Sequence, residues 1–393
     1  MKWMLLPVLA GTLLAATGNQ EKDLNAAQWN ARGLELNQQG RYPEAEDAYR
    51  RSLAAWDQLG PQTALSRGIT AGNLGMLLLK EGRYAESEPL LAGSLKQIEG
   101  AAGHESGETA RAVENLAALY LAWELPSQAE PYARRAAAIF EGLANDGEEA
   151  RASHRLLGSI LLAERRFSEA EELLRALLPD VSERAAIGVY NDLAVAESSQ
   201  SHLAEAEPLA RKALDLARRV LPPNHPLIAV SLNNLAQVQR FEGRYLEAEQ
   251  NYRAAIDIWK RALGAGHPDV GKGLMNLGAF YHDRGRDAGA EDLYRQAASI
   301  FESVYGNNHP LTLVARNELS EVLRAQGRYS ESERLSRETL APLERTLGER
   351  DPRVLRALTN YARLLEETRH VRDAAAIRRR IDALQQGFRD PNG

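Results

Sequence analysis

Three sets of residues in this sequence have the type and spacing to do chemistry. Histidines recur in His225-Pro226, His267-Pro268 and His309-Pro310, 42 residues apart, a row that invites a metal site. Closely spaced carboxylates, the material of general acid and base catalysis, recur as Glu44 and Glu46, Glu86 and Glu88, Glu169, Glu171 and Glu172, Glu205 and Glu207, and Glu247 and Glu249. Asparagines form the third set: Asn73, Asn115, Asn234, Asn276 and Asn360, with Asn191, Asn233 and Asn317 beside the same register. Asp192 and Glu318 take the equivalent place in two further copies. A side-chain amide both donates and accepts, so it can satisfy a peptide unit without reading that residue's side chain. The chain has no cysteine, which removes thiolate metal ligands, a thiol nucleophile and disulfides. It also carries no nucleophile elbow, HExxH, phosphate-binding glycine loop or dinucleotide fingerprint.

The elements that position these residues come from one internal repeat. GRYPEAE at Gly40, GRYAESE at Gly82, GRYLEAE at Gly243 and GRYSESE at Gly327 are its clearest copies. A small residue anchors each: Ala45, Ser87, Ala129, Ala170, Ala206, Ala248, Ala290, Ser332 and Ala374, at intervals of 42, 42, 41, 36, 42, 42, 42 and 42. Such a period marks an array of identical supersecondary units rather than two or three separate domains. Twelve residues before each anchor stands a second small residue: Gly33, Gly75, Ala117, Gly158, Ala194, Ala236, Gly278, Ser320 and Ala362. Leu precedes seven of these nine. The pattern predicts two helices crossing so closely that nothing larger than Ala or Ser fits, with the Leu filling the adjoining hole. Gly-Arg-Tyr supplies the turn. In the sixth repeat the helices are expected over 226–241 and 245–263, and no strand-like alternation appears. A large side chain closes most second helices (Trp56, Ile98, Phe140, Trp259, Phe301, Leu343) and is read as core between repeats.

The repeat decides two of the three chemical sets. Equivalent points on adjacent repeats lie about 10 Å or more apart when helices pack at ~8–10 Å, whereas zinc ligands must all lie within ~2 Å of one ion. The histidines therefore cannot converge, and Asp351-Pro352 occupies the same place in the last repeat. A capping role follows, with His or Asp at the N-cap and Pro in the first turn, where its missing N–H costs nothing. No metal or cofactor is expected. The paired acids recur in step with the repeat in the first turn of the second helix, where negative charge suits the helix dipole, so they read as a solvated face. An acid pair for catalysis would occur once. The asparagines remain.

At the segment SLNNLAQVQRFEGRYLEAEQNYRAAIDIWKRALGAGHPDV, from Ser231 to Val270, the chain resembles the tetratricopeptide repeat family in its 42-residue form, found in kinesin light chains and many bacterial proteins. The resemblance implies an all-α solenoid, a right-handed superhelix of about nine helical hairpins whose first helices line a concave groove. It also implies that Asn at this offset faces the groove and bonds the backbone of an extended peptide. The alternative is that Asn bonds a neighbouring helix's carbonyl and sets the hairpin spacing. The family's chaperone-binding subset needs Lys and Asn four apart, then Asn, then Lys and Arg four apart. This chain has Asn30 and Leu34, Asn73, then Glu114 and Ala118, so that specificity is not expected. Further groove candidates are Arg240, Lys272, Arg324, Arg356 and Arg363, set against Asp283, Glu321, Glu366 and Glu367. Their mixed signs predict no simple ligand charge.

The remaining organisation is read as follows. Residues 1–18 have the pattern of a secretory signal, a basic residue, a short apolar stretch and small residues. Export to the periplasm or beyond is expected, with an uncleaved membrane anchor as the alternative. Residues 24–388 hold the array, which is irregular over 115–210, where Gly-Arg-Tyr is replaced and Pro179 should end a second helix early. The ninth repeat puts Arg378, Arg379 and Arg380 on its second helix as a solvated end cap, and 389–393 form a frayed tail. A net charge of −6 without a basic run disfavours nucleic acid, and no later segment is apolar enough to span a membrane. The expected function is a non-enzymatic scaffold for a protein or peptide segment. The alternatives are a self-associating spacer in an exported or envelope assembly and, less favoured, an all-helical enzyme.

Overall fold

The computed structural model describes residues 25–143 and 147–386, so the signal pattern and the expected tail lie outside the described residues. Contacts divide the chain into two compact bodies, with the division at Leu209 and Ala210. In the first body the helices run α1 (Ala26–Gln38), α2 (Tyr42–Leu59), α3 (Ala64–Lys80), α4 (Tyr84–Ala102), α5 (Gly107–Ala122), α6 (Pro126–Gly142), α7 (Glu148–Ala163), α8 (Phe167–Leu177) and α9 (Glu183–Ser199). Helix α10 (Leu203–Val220) contains the division. The second body continues with α11 (Pro226–Phe241), α12 (Tyr245–Leu263), α13 (Pro268–Asp283), α14 (Asp287–Tyr305), α15 (Pro310–Ala325), α16 (Tyr329–Leu347), α17 (Pro352–Glu367) and α18 (Val371–Gln386). Every described element is helical, apart from short turns, and the expected bounds of the sixth repeat coincide with α11 and α12.

The small-residue crossing has a direct geometric cause. A Cβ at Gly33 would lie 2.6 Å from the Tyr49 ring, at Gly75 2.6 Å from Leu91, at Gly158 2.8 Å from Leu174 and at Gly278 3.0 Å from Tyr294. Each partner stands sixteen residues on, so the same collision recurs in register. The anchor is small for a related reason. Ser87 Oγ donates to the Gly75 carbonyl at 2.7 Å and Ser332 Oγ to the Ser320 carbonyl at 2.8 Å, so backbone and anchor are one hydroxyl apart. The seven Leu residues beside the crossing are all buried, as are Ile98, Phe140, Trp259, Phe301 and Leu343. Trp56 is half-buried and donates Nε1 to Thr70 Oγ1 of the next repeat at 3.1 Å.

Turn chemistry explains both the regular and the irregular repeats. Gly40, Gly82, Gly243 and Gly327 adopt φ between 76° and 79°, the left-handed conformation glycine takes freely at a helix end. Where glycine is replaced, Glu124, Arg165, Ser201 and Arg369 are held at φ 61° to 67°, and the same closing bonds form, such as Arg166 N–H to the Leu161 carbonyl at 2.9 Å. Helix α8 stops at Leu177 after 11 residues, before Pro179, as the missing N–H of proline requires.

The loop histidines are caps. His225, His267 and His309 have extended backbone, and each Nδ1 accepts the N–H two residues on at 3.1–3.2 Å. Asp351 does the same through Oδ1 at 2.8 Å. Pro follows each at the first helical position.

Candidate functional site

Within each body the first helices of successive repeats touch one another: α1 with α3, α3 with α5, α5 with α7 and α7 with α9, then α11 with α13, α13 with α15 and α15 with α17. Among the described residues the second helices make no comparable contacts with each other. First helices therefore form a continuous wall in each body, and second helices form its outer side.

The outer side explains the paired acids more fully than solvation does. At several of these turns the Arg in the Gly-Arg-Tyr position grips an acid in the first turn of its own second helix and reaches back to the second helix of the preceding repeat. Arg83 bonds Glu86 at 2.8 Å and Glu46 at 2.6 Å, Arg166 bonds Glu169 at 2.7 Å and Glu130 at 2.6 Å, and Arg328 bonds Glu331 at 2.7 Å and Glu291 at 2.6 Å. Arg286 reaches Glu249 at 2.8 Å. Hydrogen bonds from Arg83 hold the Glu46 carboxyl below its usual range, against burial that pushes it up. The motif is a ladder of ion pairs between repeats, and its acids are committed to structure.

The wall of first helices is also cross-linked in register. A side chain fifteen residues before one anchor meets the side chain fourteen before the next. Asn73 Nδ2 donates to Asn30 Oδ1 at 3.0 Å, Asn276 Nδ2 donates to Asn233 Oδ1 at 3.0 Å, and an ion pair replaces the amides where Arg155 meets Asp192 at 2.9 Å. One heptad on, a second rung joins Lys80 to Asn37 at 3.5 Å, Arg240 to Asp283, and Arg324 to Glu367 at 2.5 Å. Thus asparagine does set spacing, but through side chain to side chain bonds between repeats rather than to a carbonyl within a hairpin.

This geometry sorts the expected site residues. Asn73, Asn191, Asn233, Asn317 and Asn360 are buried, while Asn115, Asn234 and Asn276 are half-buried and reach the surface of the wall. The amide nitrogen of Asn360 is buried and has no hydrogen-bond partner among the described residues. The cations of the second body are paired: Arg240 with Asp283, Arg324 with Glu321 at 2.8 Å as well as Glu367, Arg356 with Glu318 at 2.8 Å and Arg363 with Glu321 at 2.7 Å. Arg356 and Arg363 nevertheless expose 62% and 44% of their side chains, so their guanidinia face solvent on one side and buried carboxylates on the other. Burial pushes the Glu318 carboxyl up, with Arg356 opposing. Lys272 is half-buried and engaged with neighbours. Glu366 turns to the last helix, where Arg378 holds it at 3.1 Å.

Sequence reasoning missed the cluster in the third to fifth repeats. Arg155 is held by Asp192 and lies against Gly188, whose Cβ would come within 3.2 Å of it. Ser159 Oγ donates to the same Asp192 oxygen at 2.9 Å, and Arg111 bonds Glu149 at 2.5 Å. The 43-residue separation of Asn30 from Asn73 and of Asn233 from Asn276 was the available signal, because it identifies which positions should pair. Among the described residues no group of three or more His, Asp or Glu is placed to hold a metal ion, and no helix is long and apolar enough to cross a membrane.

Stacked antiparallel hairpins with small-residue crossings and first helices in mutual contact define an α-solenoid. The family model for the tetratricopeptide repeat matches residues 66–142, 185–261 and 269–341, more than half of the chain, and the protein belongs to that family. The unmatched stretch between 142 and 185 contains the shortened α8. Among solved structures, a Rap protein complexed with Competence and Sporulation Factor is 13% identical with a TM-score of 0.51, covering 83% of this chain and 99% of that one. BtubC from P. vanneervenii is 20% identical with a TM-score of 0.47, covering 57% of this chain and 90% of its own. The nearly identical TPR-like repeats of a Podosopora anserina kinesin light chain are 22% identical with a TM-score of 0.43, covering 51% of this chain and 94% of their own. These likenesses concern the fold. No curated protein matches the chain.

Proposed function

We propose that this protein is an exported, non-enzymatic scaffold that binds an extended protein or peptide segment along its wall of first helices. The observation that carries the reading is the repetition, on successive first helices, of polar side chains in one register, of which Asn115, Asn234 and Asn276 reach the surface of the wall. An extended segment presents donors and acceptors at regular spacing and gains small contributions from several repeats at once. The Rap structure supports this mode, since that related fold is complexed with a factor. The carboxyls raised by burial, Glu114, Asp192 and Glu318, do not argue for catalysis. Asp192 is held by Arg155 and Ser159, and Glu318 by Arg356, so these two carboxyls are engaged in bonds of the wall. Export rests on the signal pattern of residues 1–18.

The test is capture of binding partners from the exported fraction by the tagged protein, comparing wild type with an Asn115→Ala/Asn276→Ala variant. Partners held by wild type should be lost or reduced about tenfold in the variant, with the helical spectrum unchanged. Equal capture by both proteins would overturn the reading.

A further inference from the structure

The register of the first-helix wall is interrupted at several rungs, as where Met275 stands opposite Glu318 or where the Asn360 amide nitrogen lacks a partner, and on α5 the interruption leaves two successive polar side chains, Glu114 and Asn115, without hydrogen-bond partners. Asn115 should be met by residue 72, as Asn73 is met by Asn30, but residue 72 is glycine. Glu114 should meet residue 156, as Arg155 meets Asp192, but residue 156 is a buried leucine. Among the described residues the side chain of neither Glu114 nor Asn115 makes a hydrogen bond, and both residues are half-buried on α5. Gly72 is buried against α4, where a Cβ would lie 2.9 Å from Ser94 Oγ and 3.9 Å from Asn115 Nδ2, so position 72 is held to glycine and has no side chain to offer Asn115.

Charge at this place is unbalanced. The charged groups acting on Glu114 are Arg155, Arg111 and Glu149. Arg155 is neutralised by Asp192 at 2.9 Å and Arg111 by Glu149 at 2.5 Å, so the carboxylate of Glu114 is the surplus. A half-buried, unpaired carboxylate beside a free amide is complementary to a cation attached to a peptide backbone.

We propose that the unpartnered pair Glu114 and Asn115 on α5 is the specificity-determining subsite of the wall, taking a lysyl or arginyl side chain of the bound segment. The cation lies on the Glu114 carboxylate, and the Asn115 amide bonds the adjoining backbone. This rests on the reading that the wall binds an extended segment.

A pH dependence follows. Burial pushes the Glu114 carboxyl up to about 7, with Arg155 and Arg111 opposing and Glu149 adding. In the free protein the ionised fraction then rises from about one tenth at pH 6 to about nine tenths at pH 8. Affinity that requires the ionised form scales with that fraction, so it rises about tenfold over this range.

The experiment selects a displayed library of random twelve-residue peptides on the full chain, wild type and Glu114→Gln. Peptides selected by wild type should share a Lys or Arg and bind about tenfold more tightly at pH 8 than at pH 6. Glu114→Gln should lose about tenfold at pH 8 together with the pH slope, and Glu114→Asp should retain the basic preference. Replacing the shared Lys by norleucine in a selected peptide should have the same effect on wild type, a measurement that does not depend on how the variants fold. Selected peptides without a basic preference, or an affinity indifferent to Glu114→Gln or to norleucine, would overturn the subsite and leave the wall reading standing if Asn276→Ala still weakens them. Failure of wild type to select any peptide would overturn both.

Discussion

The Gly75→Ala substitution puts the close crossing of α3 and α4 to a quantitative test. Helix propensity alone favours Ala over Gly by about 1 kcal/mol. The new Cβ, however, would lie 2.6 Å from Leu91 Cδ2 and 2.8 Å from its Cγ, where ordinary contact is 3.4–4 Å. Leu91 is 1% exposed, so it has no open space to turn into, and overpacking of this kind costs about 1–3 kcal/mol. The sum is a loss of about 1 kcal/mol where propensity predicts a gain of the same size. Leu91→Ala alone should cost about 2–4 kcal/mol through the cavity it leaves. The double variant recreates the arrangement of the third repeat, where Ala117 and Ala133 hold the same two positions and both are fully buried. Its loss should therefore fall short of the sum of the single losses by about 1 kcal/mol or more. Urea midpoints followed by helical circular dichroism measure all three. A stabilised Gly75→Ala protein, or strictly additive losses, would refute the packing argument.

Ser201→Gly and Arg369→Gly should each stabilise by about 0.5–1 kcal/mol, because the left-handed conformation costs a non-glycine residue about 1–2 kcal/mol and the extra freedom of the unfolded glycine returns part of it; thermal melts check this. Asn73→Ala leaves the buried Asn30 oxygen without its donor and should cost about 1–3 kcal/mol, with Asn30→Ala/Asn73→Ala costing less than the two single losses together in the same urea assay. Glu114 gives a stability effect of definite sign. Its carboxyl stays protonated in the fold up to about pH 7, whereas the unfolded chain ionises it near 4.5, so folding stability falls as the pH rises between these values and is level above. Glu114→Gln should thus be more stable than wild type above pH 7 and equal to it below pH 4, as read from melting temperatures across that range.

Much of the fold was legible because it repeats. One close crossing, occupied by Gly, Ala or Ser, recurs nine times, so the requirement for a small residue is written nine times in the sequence. The caps at His225, His267, His309 and Asp351 were legible for the same reason. What escaped the reading was pairing between repeats. Glu46 reads in the sequence as one of a solvated acid pair, and only the structure shows Arg83 reaching back to it, as Arg166 does to Glu130. The asparagines look alike in sequence, yet burial separates Asn73 and Asn317 from Asn115 and Asn276. The irregular repeats hid the cluster at Arg155 because a 36-residue interval shifts the expected 43-residue pairing to 37.

The central claim, that the first-helix wall holds the partner, is tested most directly by site-specific photo-cross-linking within one body. A benzophenone side chain in place of Arg363, on the wall, leaves Glu321 paired with Arg324. The same group in place of Arg334, 68% exposed on the outer helix α16, serves as the comparison. With the exported fraction as the source of partners, cross-linked product should form from position 363 and not from 334. Product from 334 alone, or equally from both, would contradict the account.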